Sequence, residues 1–134
     1  MSGADPRGVV LVVDDDPRAL RLIQLVLEHD GYRVLPAADP ATARDLFLAG
    51  TPDVVATDLM LPGMSGIDLC RWMRERSAAG RTPGLLLITA MDTVETRSAA
   101  AAAGIDDLVT KPVEPAELRR RIERLLGRDD GLTV

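Results

Sequence analysis

Five short apolar runs recur along this chain, each followed by a longer stretch whose apolar residues return at helical spacing. This alternation restricts the fold more than any other feature. A strand covered on both faces reads as an unbroken β-branched run, and Val9-Val10-Leu11-Val12-Val13 is such a run. Pro17 suits a first helical position and Asp16 its N-cap, and the helix they open carries Leu20, Ile23, Leu25, Val26 and Leu27 and stops near Asp30-Gly31. Arg33-Val34-Leu35 reads as a short second strand, and Asp39-Pro40 opens a second helix through Ala43, Leu46 and Phe47 to Gly50. The third strand is expected over Asp53-Val54-Val55-Ala56-Thr57, followed by the loop Pro62-Gly63-Met64-Ser65-Gly66 and a helix bearing Ile67, Leu69, Cys70, Trp72 and Met73.

Leu85-Leu86-Leu87-Ile88 reads as the fourth strand, Thr93 to Ala103 as an alanine-rich helix closed by Gly104, and Asp107-Leu108-Val109-Thr110 as the fifth strand. Pro115 starts a last helix with Leu118, Ile122, Leu125 and Leu126 on its apolar face. Strict β-α alternation predicts an α/β fold with a parallel sheet and helices on both faces. Five such units predict a doubly wound, five-stranded sheet with strand order 2-1-3-4-5, flavodoxin-like. One domain is expected over residues 8–127, with 1–7 and 128–134 as terminal tails.

Composition excludes several functions. With 46% hydrophobic and 28% charged residues the chain is not of disordered type. No apolar run approaches the ~20 residues of a membrane span, and the first residues lack the apolar core of a signal peptide. The single cysteine, Cys70, precludes an internal disulfide and fits a reducing compartment, so a soluble, cytoplasmic protein is expected. A net charge of −5 with scattered arginines argues against direct nucleic-acid binding, which needs a concentrated basic face. Tyr32, Phe47 and Trp72 are too few and too dispersed for a base-stacking platform.

In open α/β sheets, ligands bind beyond the carboxyl ends of the strands, at the switch point, here between strands one and three. Reading the residues there gives Asp14 and Asp15 after strand one and Asp58 after strand three. Strand four ends in Thr89-Ala90 and strand five runs into Lys111-Pro112. Three carboxylates that converge need a compensating cation, and hard oxygen donors with room for water suit Mg²⁺. A carboxylate can also act as a nucleophile and form an acyl phosphate. Mg²⁺, the Lys111 ammonium and the Thr89 hydroxyl would then neutralise the phosphoryl oxygens. Lys111 is the only lysine, in a chain whose other positive residues are all arginine, which fits a need for a compact ammonium at that point.

These residues resemble the response-regulator receiver family of two-component signal transduction from about Gly8 to Gly127. The resemblance is carried by Val12-Val13-Asp14-Asp15-Asp16, by Thr57-Asp58-Leu59-Met60-Leu61-Pro62-Gly63-Met64-Ser65-Gly66, by Ile88-Thr89-Ala90 and by Lys111-Pro112. It implies that Asp58 is the phosphoacceptor, that Asp15 binds Mg²⁺ directly and Asp14 largely through water, and that the Met60 carbonyl completes the protein ligands. It further implies that Thr89 bonds a phosphoryl oxygen and moves toward it on activation, that Lys111 pairs with the phosphoryl oxygens, and that the Lys111-Pro112 peptide is cis. The implied partners are a sensor histidine kinase or phosphotransfer protein, an output domain or protein target, and a second copy through the face of the fourth helix, fifth strand and fifth helix. The chain would phosphorylate and dephosphorylate itself as a signalling domain without being a metabolic enzyme. One departure is Leu108, where family members usually carry Tyr or Phe.

Two other functions fit parts of the pattern. Asp14-x-Asp16 after a first strand resembles a haloacid-dehalogenase-like phosphatase, with Asp14 as nucleophile and Asp16 as acid, but this leaves Asp58 without a purpose. A degenerate receiver acting as a phosphorylation-independent docking module is the other, favoured only by Leu108. Plainer roles suit the remaining residues: His29 at a helix C-terminus, Cys70 as an inert buried hydrophobe, and Arg119-Arg120-Arg121 with Glu117 and Glu123 as a solvated helix face. Met60 and Met91 are expected to flank the phosphoryl group, where apolar side chains would hinder attack by water.

Overall fold

The computed structural model describes residues 7–78 and 80–127. Its elements alternate strictly: β1 (Val9–Val13), α1 (Pro17–His29), β2 (Arg33–Ala37), α2 (Pro40–Ala49), β3 (Val54–Asp58), α3 (Gly66–Arg76), β4 (Gly84–Thr89), α4 (Val94–Ala102), β5 (Asp107–Thr110) and α5 (Pro115–Leu126). All pairings are parallel, in the order β2-β1-β3-β4-β5. The fold class and strand order expected from the alternation are those observed. The tail expected from Arg128 lies outside the described residues, whereas Arg7 at the other end packs. Its guanidinium sits 4.7 Å from the Tyr32 ring centre and reaches Glu123 at 3.2 Å.

The side-chain alternation of the strands divides the core in two. Val10 and Val12 of β1, Val54 and Ala56 of β3, and Leu86 and Ile88 of β4 join α1 and α5 through Ile23, Leu27, Leu118, Ile122 and Leu125. On the other face Leu11, Val13, Val55 and Leu85 pack against Ala43 and Phe47 of α2 and Leu69, Cys70 and Met73 of α3. Full burial of each large apolar side chain contributes about 1.5–3 kcal/mol, so the two helix pairs are held mainly by these stripes. A third cluster, Leu59, Ile67, Leu87, Ala100, Ala103 and Leu108, seats α4, which buries only Thr96 and Ala100 along its own length.

Helix ends follow local chemistry. Asp16, Asp39, Ser65, Thr93 and Glu114 each accept a first-turn backbone N–H, and proline follows the cap in α1, α2 and α5. Gly31 closes α1 at φ 94°, so that the Tyr32 N–H reaches the Leu27 carbonyl at 3.1 Å and the Gly31 N–H reaches Glu28 at 3.0 Å.

Several boundaries differ from those the sequence implies. β2 extends past Leu35 through Pro36 to Ala37, because an edge strand tolerates a residue without an N–H. β3 reaches Asp58 and β4 reaches Thr89, since the β3–β4 register pairs Asp58 with Ile88 and the Leu59 N–H still bonds the Ile88 carbonyl at 3.1 Å. α4 is shorter than expected by its two flanking residues, Thr93 and Ala103, which serve as caps. The α5 arginines are more than a solvated face. Arg119 contacts Asp30 at 2.7 Å as an ion pair without hydrogen-bond alignment, and Arg121 donates to Asp107 of β5 at 3.0 Å. Register aligned these side chains with acids on other elements, which spacing along α5 cannot reveal.

Gly66 ties the β3–α3 loop to the sheet. Its N–H bonds the Leu59 carbonyl at 2.8 Å, and a Cβ added to it would lie 2.0 Å from the Asp58 carbonyl oxygen. Backbone cannot yield to such an overlap as a flexible side chain could, so Gly66→Ala is expected to destabilise the protein by at least ~1–3 kcal/mol. Urea unfolding of the variant against wild type measures this.

Candidate functional site

The carboxyl ends of β1, β3, β4 and β5 open onto one rim. β1 delivers Asp14 and Asp15, β3 ends in Asp58, β4 ends in Thr89, and β5 leads into Lys111. One carboxylate oxygen from each of Asp14, Asp15 and Asp58 falls within 4.8 Å of the others, an arrangement of hard donors that suits a divalent cation. The Lys111 ammonium closes the group, donating to Asp58 Oδ2 at 3.1 Å and to Asp14 Oδ2 at 3.2 Å. The structure therefore brings together five of the six residues singled out from sequence, with Thr89 anchored by the Lys111 N–H bond to its carbonyl at 2.8 Å. The sixth, Met60, lies beside them: its N–H approaches Asp58 Oδ1 at 3.4 Å, while the residue is 65% exposed.

Burial decides the electrostatics. Asp14 is almost fully buried, and burial raises its pKa above the ordinary carboxylate value, against the bonds from the Asp16 N–H and from Lys111. Burial also pushes the Lys111 ammonium down, but its bonds to Asp58 and Asp14 outweigh this and leave its pKa raised. A buried carboxyl that resists ionisation is the environment in which a bound cation would be most stabilised. Asp58 is itself 8% exposed, with the Lys111 ammonium 3.1 Å from its carboxylate. Asp15 is exposed.

Thr89 is buried, its hydroxyl accepting the Met91 N–H at 2.9 Å. The Lys111-Pro112 peptide is cis, as the resemblance implied. Leu108 fills the third core cluster with Leu59, Leu87 and Ala100. Cys70 is fully buried, and burial pushes its thiol up to about 12, consistent with an inert residue. Sequence reasoning passed over Thr57, whose buried hydroxyl donates to the Asp58 carbonyl at 2.9 Å, and the close approach of Gly66. The signal available for both was their position inside the Thr57-to-Gly66 segment.

A concavity of about 720 Å³ lies at the opposite end of the sheet, between the starts of β3 and β4 and the end of α5. Pro52, Asp53, Arg81, Pro83 and Leu125 line it, and the clustered carboxylates lie elsewhere. That concavity is set apart from the converging polar groups, and the chemistry of the rim is the better guide to the site.

A doubly wound parallel sheet with an acidic cluster and a lysine at its carboxyl rim defines a flavodoxin-like domain whose hard donors converge where such sheets bind ligands. Comparison with known proteins narrows the class. The family model described as "Response regulator receiver domain" matches residues 10–123, and the chain belongs to that family of two-component signalling domains. It is 41% identical to the "Probable transcriptional regulatory protein TcrX" of Mycobacterium tuberculosis, over 100% of this chain and 56% of the relative. It is 38% identical to the "DNA-binding response regulator MtrA" of Mycolicibacterium smegmatis, over 90% of this chain and 51% of the relative. Among solved structures, a Francisella response regulator receiver domain superposes with a TM-score of 0.82 at 30% identity, covering 91% of this chain and 98% of that one.

The chain spans about half the length of the curated relatives it matches. Receiver domains of this family are signalling domains, not metabolic enzymes, and generally bind Mg²⁺ at an acidic pocket. Among the described residues no helix is long and apolar enough to cross a membrane.

The sign of the Asp14 shift gives a pH prediction. A carboxyl whose folded pKa is raised adds stability below its ordinary value of 3.8, and that stability is lost as pH rises through the folded value. In chelator, Asp14→Asn is expected to gain in Tm relative to wild type as pH rises from about that value to neutrality. Thermal melts of both proteins across this range check it, and a constant difference would contradict it.

Proposed function

We propose that residues 8–127 form a receiver domain that accepts a phosphoryl group on Asp58 from the phosphohistidine of a sensor histidine kinase or phosphotransfer protein. The observation that carries this reading is the meeting of Asp14, Asp15 and Asp58 within 4.8 Å, with Lys111 donating to both Asp14 and Asp58. In the transfer, an Asp58 carboxylate oxygen attacks phosphorus as the bond from the donor imidazole nitrogen breaks, leaving an acyl phosphate on Asp58 and a free histidine on the donor. Asp14, Asp15, Asp58 and the Met60 carbonyl would hold Mg²⁺, which supplies neutralisation of phosphoryl charge when bound. Lys111, already within reach of Asp58, turns from carboxylate to phosphoryl oxygens. The Thr89 hydroxyl bonds a phosphoryl oxygen and moves toward it.

The output is a shift between two conformers, sensed by an output domain or protein target. The α4-β5-α5 face is the surface for that partner or for a second copy. Leu108 packs inward at this face, so the coupling from Thr89 runs through repacking of an aliphatic side chain against Ala100 and Ala103. A cytoplasmic location fits such a pathway. Nucleic acid is not a ligand of this domain in our reading, given its net charge of −5.

Acetyl phosphate with Mg²⁺ is expected to add one phosphoryl group, seen by intact mass spectrometry, and Asp58→Asn is expected to abolish the addition. Steady turnover of phosphate esters would favour a phosphatase instead, and no labelling of wild type a docking module. Mg²⁺ at about 100 times its Kd should stabilise the folded protein by ~2.7 kcal/mol, a gain that Asp15→Asn largely removes in melts at varied Mg²⁺. Met60→Asn is expected to hasten phosphoryl loss, because the exposed thioether would otherwise hinder an ordered water. Equal decay rates would remove that role.

A further inference from the structure

We infer that Thr57 is a positioning residue for phosphoryl acceptance, its buried hydroxyl holding the Asp58–Leu59 peptide in the orientation that aims the acceptor carboxylate. The inference rests on the phosphoacceptor reading of Asp58. Thr57 lies on the central strand β3, paired with Val13 on one side and Leu87 on the other, and is fully buried. Strand alternation sends its side chain away from that of Asp58, toward the face covered by α3. A Cβ on Gly66 would meet Thr57 Oγ1 at 3.1 Å, which places the hydroxyl directly beneath the start of α3.

That face is otherwise apolar, built from Val13, Val55, Leu69 and Met73 among others. Valine has nearly the same shape and would avoid the cost of burying a hydroxyl there. The hydroxyl instead donates to the Asp58 carbonyl oxygen at 2.9 Å. The same oxygen is also crowded by Gly66, where even a methyl group would overlap it. At the other end of this peptide unit the Leu59 N–H bonds the Ile88 carbonyl at 3.1 Å. The peptide is thus pinned at both its carbonyl and its N–H. Asp58 Cα is its first atom and Met60 follows one residue later, so its plane sets the direction of the acceptor side chain and of the turn that would bring in the Met60 carbonyl. Freed of the hydroxyl, the carbonyl can rotate, and a misplaced nucleophile loses rate steeply with small displacements.

The test is the rate constant for labelling by acetyl phosphate at saturating Mg²⁺ in wild type, Thr57→Ser, Thr57→Val and Thr57→Ala, with Asp58→Asn as the control for the acceptor. Serine keeps the hydroxyl and loses the methyl, valine keeps the shape and loses the hydroxyl, and alanine loses both. Thr57→Ser is expected to label within about twofold of wild type, and Thr57→Val and Thr57→Ala about tenfold more slowly. Equal rates in all four, or a serine variant as slow as alanine, would overturn the inference in favour of simple packing. Should the valine variant fail to fold, the serine–alanine pair decides alone, because both carry the same lost methyl. Wild type that takes up no phosphoryl group, like Asp58→Asn, would overturn the acceptor reading and this inference with it.

Discussion

Two carboxylates and one ammonium, drawn from three different strands, hold the working end of this sheet together. Asp14 and Asp58 approach each other closely enough that their charges repel, and Lys111 answers both at 3.2 and 3.1 Å. The pairing is only partial relief. Burial still raises the pKa of Asp14, and a divalent cation at the rim would favour its ionised form. That tension is built in by topology, because a parallel sheet sends every strand's carboxyl end to the same edge. Were β5 reversed, Lys111 would lie at the far end of the sheet and the acids would face one another uncompensated.

The same topology distributes rigidity unevenly. α1 and α5 close one face through a continuous aliphatic layer, and α2 and α3 close the other. α4 is different. It is alanine-rich, buries only Thr96 and Ala100 along its length, and is seated by a small cluster that includes Leu108. Few buried apolar contacts mean a low cost of local rearrangement. The element most easily shifted therefore stands next to Thr89 and β5, where a change at the rim would first be felt. Its N-terminal approach is restrained by Arg97, which grips Asp92 through two bonds at 2.5 and 2.9 Å.

Much of this was legible from residues alone. The unbroken Val9–Val13 run, the Asp-Pro helix starts and the Asp30-Gly31 stop are local signals, and each local preference agrees with the observed element. Errors fell where neighbours override local chemistry. Pro36 continues β2 because an edge strand tolerates a residue that has no N–H to donate, and Asp58 belongs to β3 because β4 extends the ladder to meet it. Arg119 and Arg121 read as a solvated face yet contact Asp30 and Asp107, partners that only folding brings near. Thr57 read as an ordinary strand residue, since nothing in its neighbours along the chain shows where a buried hydroxyl points.

What the sequence determined by itself is the order and type of the elements, and hence the strand ends at which polar residues must collect. Periodicity and capping are properties of neighbouring residues, and they survive without knowledge of the rest of the chain. What the tertiary structure decided is depth and distance: that Asp14 is buried while Asp15 is not, that Lys111 bridges two acids, and that the Asp58 carbonyl meets both the Thr57 hydroxyl and the start of α3 at Gly66. Burial and ångström-scale contact depend on residues brought together from distant parts of the chain, which neighbours along the sequence do not reveal.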